Sequence, residues 1–449
     1  MRRPLVLMGL LAVLAPPCTA QSRPFGPVRQ QAERQQAWLA ERIETVLPAL
    51  MRREGVDMWV IPMREYNEDP VFSSLVSPTT FAARRRTIYV FHDRGPERGV
   101  ERLALGGTSQ GGVYEAVRSS RPADSGDGRQ AELWGDEQWA LLREVIEARN
   151  PRVIAINTSR IFAFADGLTA GEEDGMREAL GPGIVSRLRP AEALAVDFIA
   201  ARLPDEARFY RELMLVVHQM IGEMFSERVI VPGVTRTSDL VWWWRQRTTD
   251  LGLDTWFQPS VSVQRQGVSG ADLGEDPVIQ RGDVLHCDVG LTALRLNTDT
   301  QHQAYVLRAG ERDAPAGLRA ALTRANRLQD LLLEEIRPGR TGNEVLAATR
   351  ERMGKEGLDG TVYTHPIGMH GHGAGPLIGL WDRQEGVPGR GDHRVMASTW
   401  FSSELQVTSP VAEWGGQRVR MALEEDFLLD AEGRPHWVLG RQDRLHLVR

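Results

Sequence analysis

The sequence predicts an α/β N-terminal half followed by an α+β C-terminal half that carries an internal duplication. Three observations lead there. Up to about residue 200, apolar strand-like runs alternate with helical segments. Beyond it, a pattern of helix, Pro-Gly turn and helix occurs twice. Four β-type runs of that second half each hold an acidic residue among apolar neighbours. At 449 residues the chain also exceeds what one ordinary core supports, so two domains are expected.

The first segment, 1–20, has the layout of a secretory signal peptide. Arg2 and Arg3 precede an apolar run from Leu5 to Ala15, and "PPCTAQ" supplies small residues for a cut after Ala20. The run is too short to span a bilayer, which takes about 20 residues. A periplasmic or secreted protein is expected. Of the two cysteines, Cys18 leaves with the leader and Cys287 remains, so the mature chain has no internal disulfide. A net charge of −6 gives no reason to expect a nucleic-acid groove or a basic membrane patch.

Residues 36–200 read as the α/β unit. An amphipathic helix over 36–55 precedes a buried strand at "VDMWVIPM" (56–63). "RTIYVFHD" (86–93) and "RVIAINTS" (152–159) are further strands, and "DEQWALLREVIEAR" is a helix between them. No catalytic cluster shows in this half.

The second unit is expected over 205–449. Its first helix opens at Pro204 with acidic residues in the first turn, and Phe209, Leu213, Val216, Met220 and Met224 share a face. His218 on that helix reads as a packed residue. "IVPGVTRTSDLV" (230–241) and "IRPGRTGNEVLA" (336–347) share Ile-x-Pro-Gly-x-Thr and run into helices, which points to a duplicated domain about a pseudo-two-fold axis. Of the three tryptophans at 242–244, Trp244 is expected in the core.

Chemistry concentrates in the acids. "DVLHCDVG" (283–290) and "LRLNTDTQHQAYVL" (294–307) are strands able to pair as a hairpin, with Asp288 in one and Asp299 in the other. "TWFSSELQV" (399–407) holds Glu404, and "RVRMALEEDFLL" (418–429) holds Glu424 and Glu425. Two carboxylates at about 4 Å repel by roughly 4 kcal/mol at an effective dielectric of 20. Four that converge stay ionised only beside cations. Two divalent ions balance four carboxylates, and one imidazole adds a neutral ligand. Such a donor set suits Mn²⁺, Co²⁺, Fe²⁺ or Zn²⁺.

From about residue 205 onward the order Asp, Asp, His, Glu, Glu resembles the pita-bread metallopeptidases, the family of methionine aminopeptidase, Xaa-Pro aminopeptidase, prolidase and creatinase. The duplicated helix pairs fit that family's pseudo-symmetry, and the first half is similar in texture to its creatinase-like N-terminal domain. The resemblance implies a dinuclear metal centre, with manganese the foremost candidate, held by Asp288, Asp299, His365, Glu404 and Glu424, with Glu425 as the alternative to Glu424. "THPIGMHGHGAG" (364–375) fits the family's two histidines seven residues apart, His365 as ligand and His372 as catalytic partner. The other register, with His372 as ligand, finds Gly379 where the second histidine belongs. His370 falls between them as a substrate-pocket candidate.

The implied reaction is hydrolysis of Xaa-Pro dipeptides or of peptides that begin Xaa-Pro. Glu404 shuttles the proton and His372 contacts the substrate carbonyl. The departures are specific. No histidine other than His286 lies between Phe257 and Asp288, where relatives carry one against the substrate. Gln301 stands where a Thr is usual, and Leu405–Gln406 where Pro-Gly is usual. A peptide- or metal-binding protein on the same fold, without catalysis, is the competing reading. The partner expected is a peptide, and both a monomer and a homodimer remain open.

Overall fold

The computed structural model describes residues 23–449 except positions 120, 122 and 127. The leader peptide expected at 1–20, with Cys18, lies outside the described residues.

Alternate side chains of the strand Met58–Arg64 enter two different cores. Trp59, Ile61 and Met63 face one, and Met58 and Val60 the other. A strand buried on both faces reads as one apolar run, which is why 56–63 stands out in the sequence. It pairs antiparallel with Arg86–Asp93 and parallel with Ile154–Ile156, at the centre of a six-stranded mixed sheet. Helices Asp136–Arg149 and Ala170–Val185 cover one face through Trp139, Leu142, Ile146 and Met176. The other face is covered by the N-terminal helical segment and by Glu192–Ala200.

Two expectations for this half need correction. The helix expected over 36–55 begins at Val28 and is interrupted by a π-helical turn, Arg42–Val46, before Leu47–Arg53. The wide turn holds a buried Arg42, whose guanidinium donates to the carbonyls of Phe198 and Ala201. The strand expected over 152–159 is cut to Ile154–Ile156. Asn157 leaves the ladder because its side chain is engaged elsewhere, accepting from Trp59 Nε1 at 2.8 Å and donating to Asp69 at 2.9 Å.

The second half repeats itself in three dimensions. Helices Pro204–Met224 and Ala316–Glu335 each lead through a Pro-Gly turn into a shorter helix, Thr237–Asp250 and Gly342–Lys355. Gly233 and Gly339 adopt φ of 86° and 88°, a conformation costly for any residue with a Cβ. Each following helix opens on an acid that accepts its cap residue's N–H at 2.8 Å: Asp239 from Arg236, and Glu344 from Thr341. Each helix pair has its own core. The strand Val284–Val289 lies between them, with Val284 in one and Leu285, Cys287 and Val289 in the other.

Three larger sheets, beside a two-stranded ribbon of Thr292–Ala293 and Leu296–Asn297, complete this half. Ser260–Gln264, Val284–Val289, Thr300–Val306 and His446–Val448 form the first; Gly360–Val362, Leu405–Val411 and Gln417–Leu423 the second; His365–Pro366, Thr399–Ser402, Asp426–Leu429 and Pro435–Trp437 the third. The acidic runs at 399–407 and 418–429 are therefore not single strands. Glu404 falls between Thr399–Ser402 and Leu405–Val411, and Glu424 and Glu425 between Gln417–Leu423 and Asp426–Leu429. At such junctions strict alternation is lost, so consecutive acids can be aimed independently. Among the described residues no helix is long and apolar enough to cross a membrane.

Helical spacing sorts the three consecutive tryptophans. Trp244 is fully buried between the helices, while Trp242 is 61% exposed with Arg245 over its ring. Trp244→Ala is expected to cost about 3–5 kcal/mol in urea unfolding, and Trp242→Ala to stay within about 0.5 kcal/mol.

Candidate metal centre

His365 anchors the site. Its Nδ1 lies 3.0 Å from the carbonyl oxygen of Pro366, so the ring proton sits there and the Nε2 lone pair points inward. Nε2 is buried without a hydrogen-bond partner and faces three carboxylates: Glu424 Oε1 at 3.2 Å, Asp299 Oδ2 at 3.8 Å and Glu404 Oε2 at 3.9 Å. Asp288 joins through Asp299 and Glu424, with one oxygen of each within 4.8 Å of the others. Asp288 sits on Val284–Val289, where it pairs with Gln301 of Thr300–Val306, and Asp299 immediately precedes that second strand. The hairpin expected from the sequence thus carries both aspartates into one place.

Crowding and burial set the protonation of these groups. Burial, followed by Glu424, raises Glu404 from an ordinary 4.5 to about 9. Burial raises Asp288 to about 6, against the pull of His365. Asp299 and Glu424 are pushed well above the carboxylate range, by burial first and then by the neighbouring acids. Asp426 behind them rises to about 7 through burial, although Tyr210 donates to it at 2.7 Å.

The two glutamates left open by the sequence part company here. Glu424 enters the acid group, held by Ser402 Oγ at 2.7 Å and Gln301 Nε2 at 2.7 Å. Glu425 turns to the other side and meets His218 and His302 at 3.1 and 2.6 Å. Burial alone raises a carboxyl, yet those two imidazoles bring Glu425 down to about 2. His218 is therefore more than a packed helix residue. Nothing in its helical spacing signals this, because its partner is 207 positions away.

Gln301, a departure in the sequence pattern, has a visible task. Its amide nitrogen also donates to Glu404 Oε1 at 2.9 Å, and its oxygen lies 2.9 Å from His286 Nε2. One side chain so fixes the orientation of two acids. Burial, then Arg420, lowers His286 to about 4.

His372 lies at the open edge of the group, its ring centroid 4.9 Å from that of His365. Trp256 and Tyr363 flank it at 5.3 and 6.0 Å, neither of them evident from the sequence. Glycine is required at 371 because a Cβ there would meet the Trp256 ring at 2.1 Å. His370 turns instead toward the N-terminal half and packs on Phe164, ring centroids 4.7 Å apart.

These residues fit divalent cations. A bare imidazole nitrogen and a carboxylate oxygen face each other at 3.2 Å, and Asp299 Oδ1 is buried without a partner. Oxygen-rich donors with one nitrogen suit the harder transition-metal ions.

The sign of the pH dependence follows. Folded-state pKa values here lie above the unfolded ones, so metal-free protein has the full contribution below the ordinary 4.5 of Glu404. It loses that contribution as pH rises toward about 9. The urea midpoint of chelator-stripped protein is expected to fall from about pH 5 to about pH 8 relative to metal-loaded protein. Glu404→Gln should flatten part of that slope.

Residues 208–429 match the family model described as metallopeptidase family M24. Among solved structures, the X-Pro aminopeptidase from Thermotoga maritima is similar at 15% identity and TM-score 0.59, over 89% of this chain and 100% of that one. The Xaa-Pro dipeptidase from Bacillus anthracis gives 16% and 0.55, over 92% and 99%. The prolidase from Pyrococcus horikoshii gives 11% and 0.52, over 91% and 99%. At such identities the likeness is one of fold, an N-terminal α/β domain followed by a pita-bread domain. A search of curated proteins gave no match. Residues 208–429 thus match metallopeptidase family M24, and the chain as a whole shares the two-domain fold of these structures.

Proposed function

We propose that this chain hydrolyses the peptide bond before proline in Xaa-Pro dipeptides or in peptides beginning Xaa-Pro. The observation that carries the reading is the inward, unpartnered Nε2 of His365 among the carboxylates of Asp299, Glu404 and Glu424. With Asp288, these residues would hold two divalent ions, manganese foremost. Such ions supply Lewis acidity that polarises the scissile carbonyl and acidifies the attacking water.

The side chains do the rest. Glu404 takes the water's proton on Oε2 and delivers it to the leaving nitrogen, while Oε1 stays fixed by Gln301. His372, at the open edge, donates to the carbonyl oxygen as charge develops there. Trp256 and Tyr363 give that edge an aromatic wall suited to a flat, apolar pyrrolidine ring. Support for the Xaa-Pro class comes from this wall and from the fold. In the same reading residues 1–20 are a leader that sends the enzyme to the periplasm or outside, and the working units are 36–200 and 205–449.

The test is a cleavage screen on stripped protein resupplied with Mn²⁺, Co²⁺ or Zn²⁺, against Xaa-Pro dipeptides and Xaa-Pro-initiated oligopeptides. Turnover with at least one ion is expected. Glu404→Gln should lower kcat by about 10²–10⁴-fold, and His372→Ala by about 10²–10³-fold. Bound metal without turnover of any substrate would favour a binding protein on this fold.

A further inference from the structure

A second group of ligand-type side chains lies behind the acid centre. His218 on Pro204–Met224, His302 on Thr300–Val306 and Glu425 place one donor atom each within 4.8 Å of one another. His446, on the strand paired parallel with Thr300–Val306, sets its Nε2 3.0 Å from His302 Nδ1. Glu425 is buried, and its oxygens meet the two imidazoles and the Gln442 N–H at 3.0 Å. From these contacts we infer that His218, His302 and Glu425 form a separate, nitrogen-rich cation site for an ion of the Zn²⁺ or Co²⁺ type.

The tautomers make the case concrete. A single proton lies between His302 Nδ1 and His446 Nε2. With that proton on Nδ1, His302 donates to His446 and offers a bare Nε2 to the carboxylate oxygen 2.6 Å away. Two lone pairs that close need positive charge between them, either a metal ion or a second proton on the His302 ring. An imidazole whose far nitrogen is tied to a second partner is the arrangement that orients a ligating histidine. With the proton on His446 instead, the same contacts form a metal-free chain of hydrogen bonds, which is the alternative to exclude.

Two further features favour the ion. The carboxylate's charge is met at contact distance by imidazoles, which exchange a proton for a metal readily. The His218 side chain is 22% exposed, which gives a path from solvent. Two nitrogens and a carboxylate leave a fourth position open, as zinc-type sites do. The acid centre has the opposite, oxygen-rich composition, so the two sites select different ions. Glu424 and Glu425 are consecutive, so an ion on Glu425 would also clamp the turn that aims Glu424.

The test is cobalt binding by the full mature chain after chelation, with ions per chain counted after dialysis and the visible spectrum recorded. Four proteins are compared: wild type, Asp299→Asn to disable the acid centre, His218→Gln, and the double variant. The expected result is one ion fewer in His218→Gln than in wild type. Asp299→Asn should retain one Co²⁺ with a ligand-field band that vanishes in the double variant. His302→Gln, checked for folding by circular dichroism, should reproduce His218→Gln and takes its place if that variant is unfolded. Equal counts and spectra with and without His218, or no Co²⁺ on Asp299→Asn, would overturn the inference. An unchanged count in Asp299→Asn beside a loss in His218→Gln would instead overturn the acid centre and leave this site standing.

Discussion

Repulsion among buried carboxylates is the constraint around which this half of the molecule is organised. Asp288, Asp299, Glu404 and Glu424 come from positions spread over the C-terminal half and are aimed at the space before His365 Nε2. Unpaired charges in so dry a setting would hold protons, and the direction of every perturbed acid there says so. The surrounding hydrogen bonds orient these groups without neutralising them. Gln301 and Ser402 are uncharged donors, and the His365 proton is spent on the Pro366 carbonyl. The protein has built a place where positive charge must be imported.

The duplicated architecture makes such a convergence possible. Two helix pairs with separate cores enclose strands that send apolar residues into both, so the sheets are held from both directions. Three of the four acids then sit where ladders stop: just before Thr300, between Ser402 and Leu405, and between Leu423 and Asp426, while Asp288 lies within its strand. Interrupting a strand frees a carboxylate from strict alternation, and the flanking ladders fix its position. The same device sends Glu424 forward and Glu425 back, so one turn serves two groups of histidines.

Much of this was legible in the residues, and the rest was not for identifiable reasons. Helices 136–149 and 204–224 show in the sequence because periodicity and the helix-start signal of Pro204 are local. The Pro-Gly repeat is legible because only glycine accommodates the shared φ. Asp288 and Asp299 can be placed together from a hairpin pattern, and His365 and His372 from their spacing. The breaks at Glu404 and Glu424 were hidden, since apolar neighbours on both sides read as continuous strands. Trp256, Tyr363 and the His218–Glu425 contact arise between distant segments, where no local pattern reaches. Gln301 reads as a lost residue in the sequence, and only its hydrogen bonds to Glu404, Glu424 and His286 reveal it as a support.

The claim that cations complete the acid group is tested most directly by anomalous diffraction from crystals grown with manganese. The account predicts anomalous density bounded by Asp288, Asp299, His365, Glu404 and Glu424. Empty density there, with these acids turned outward to solvent, would contradict it.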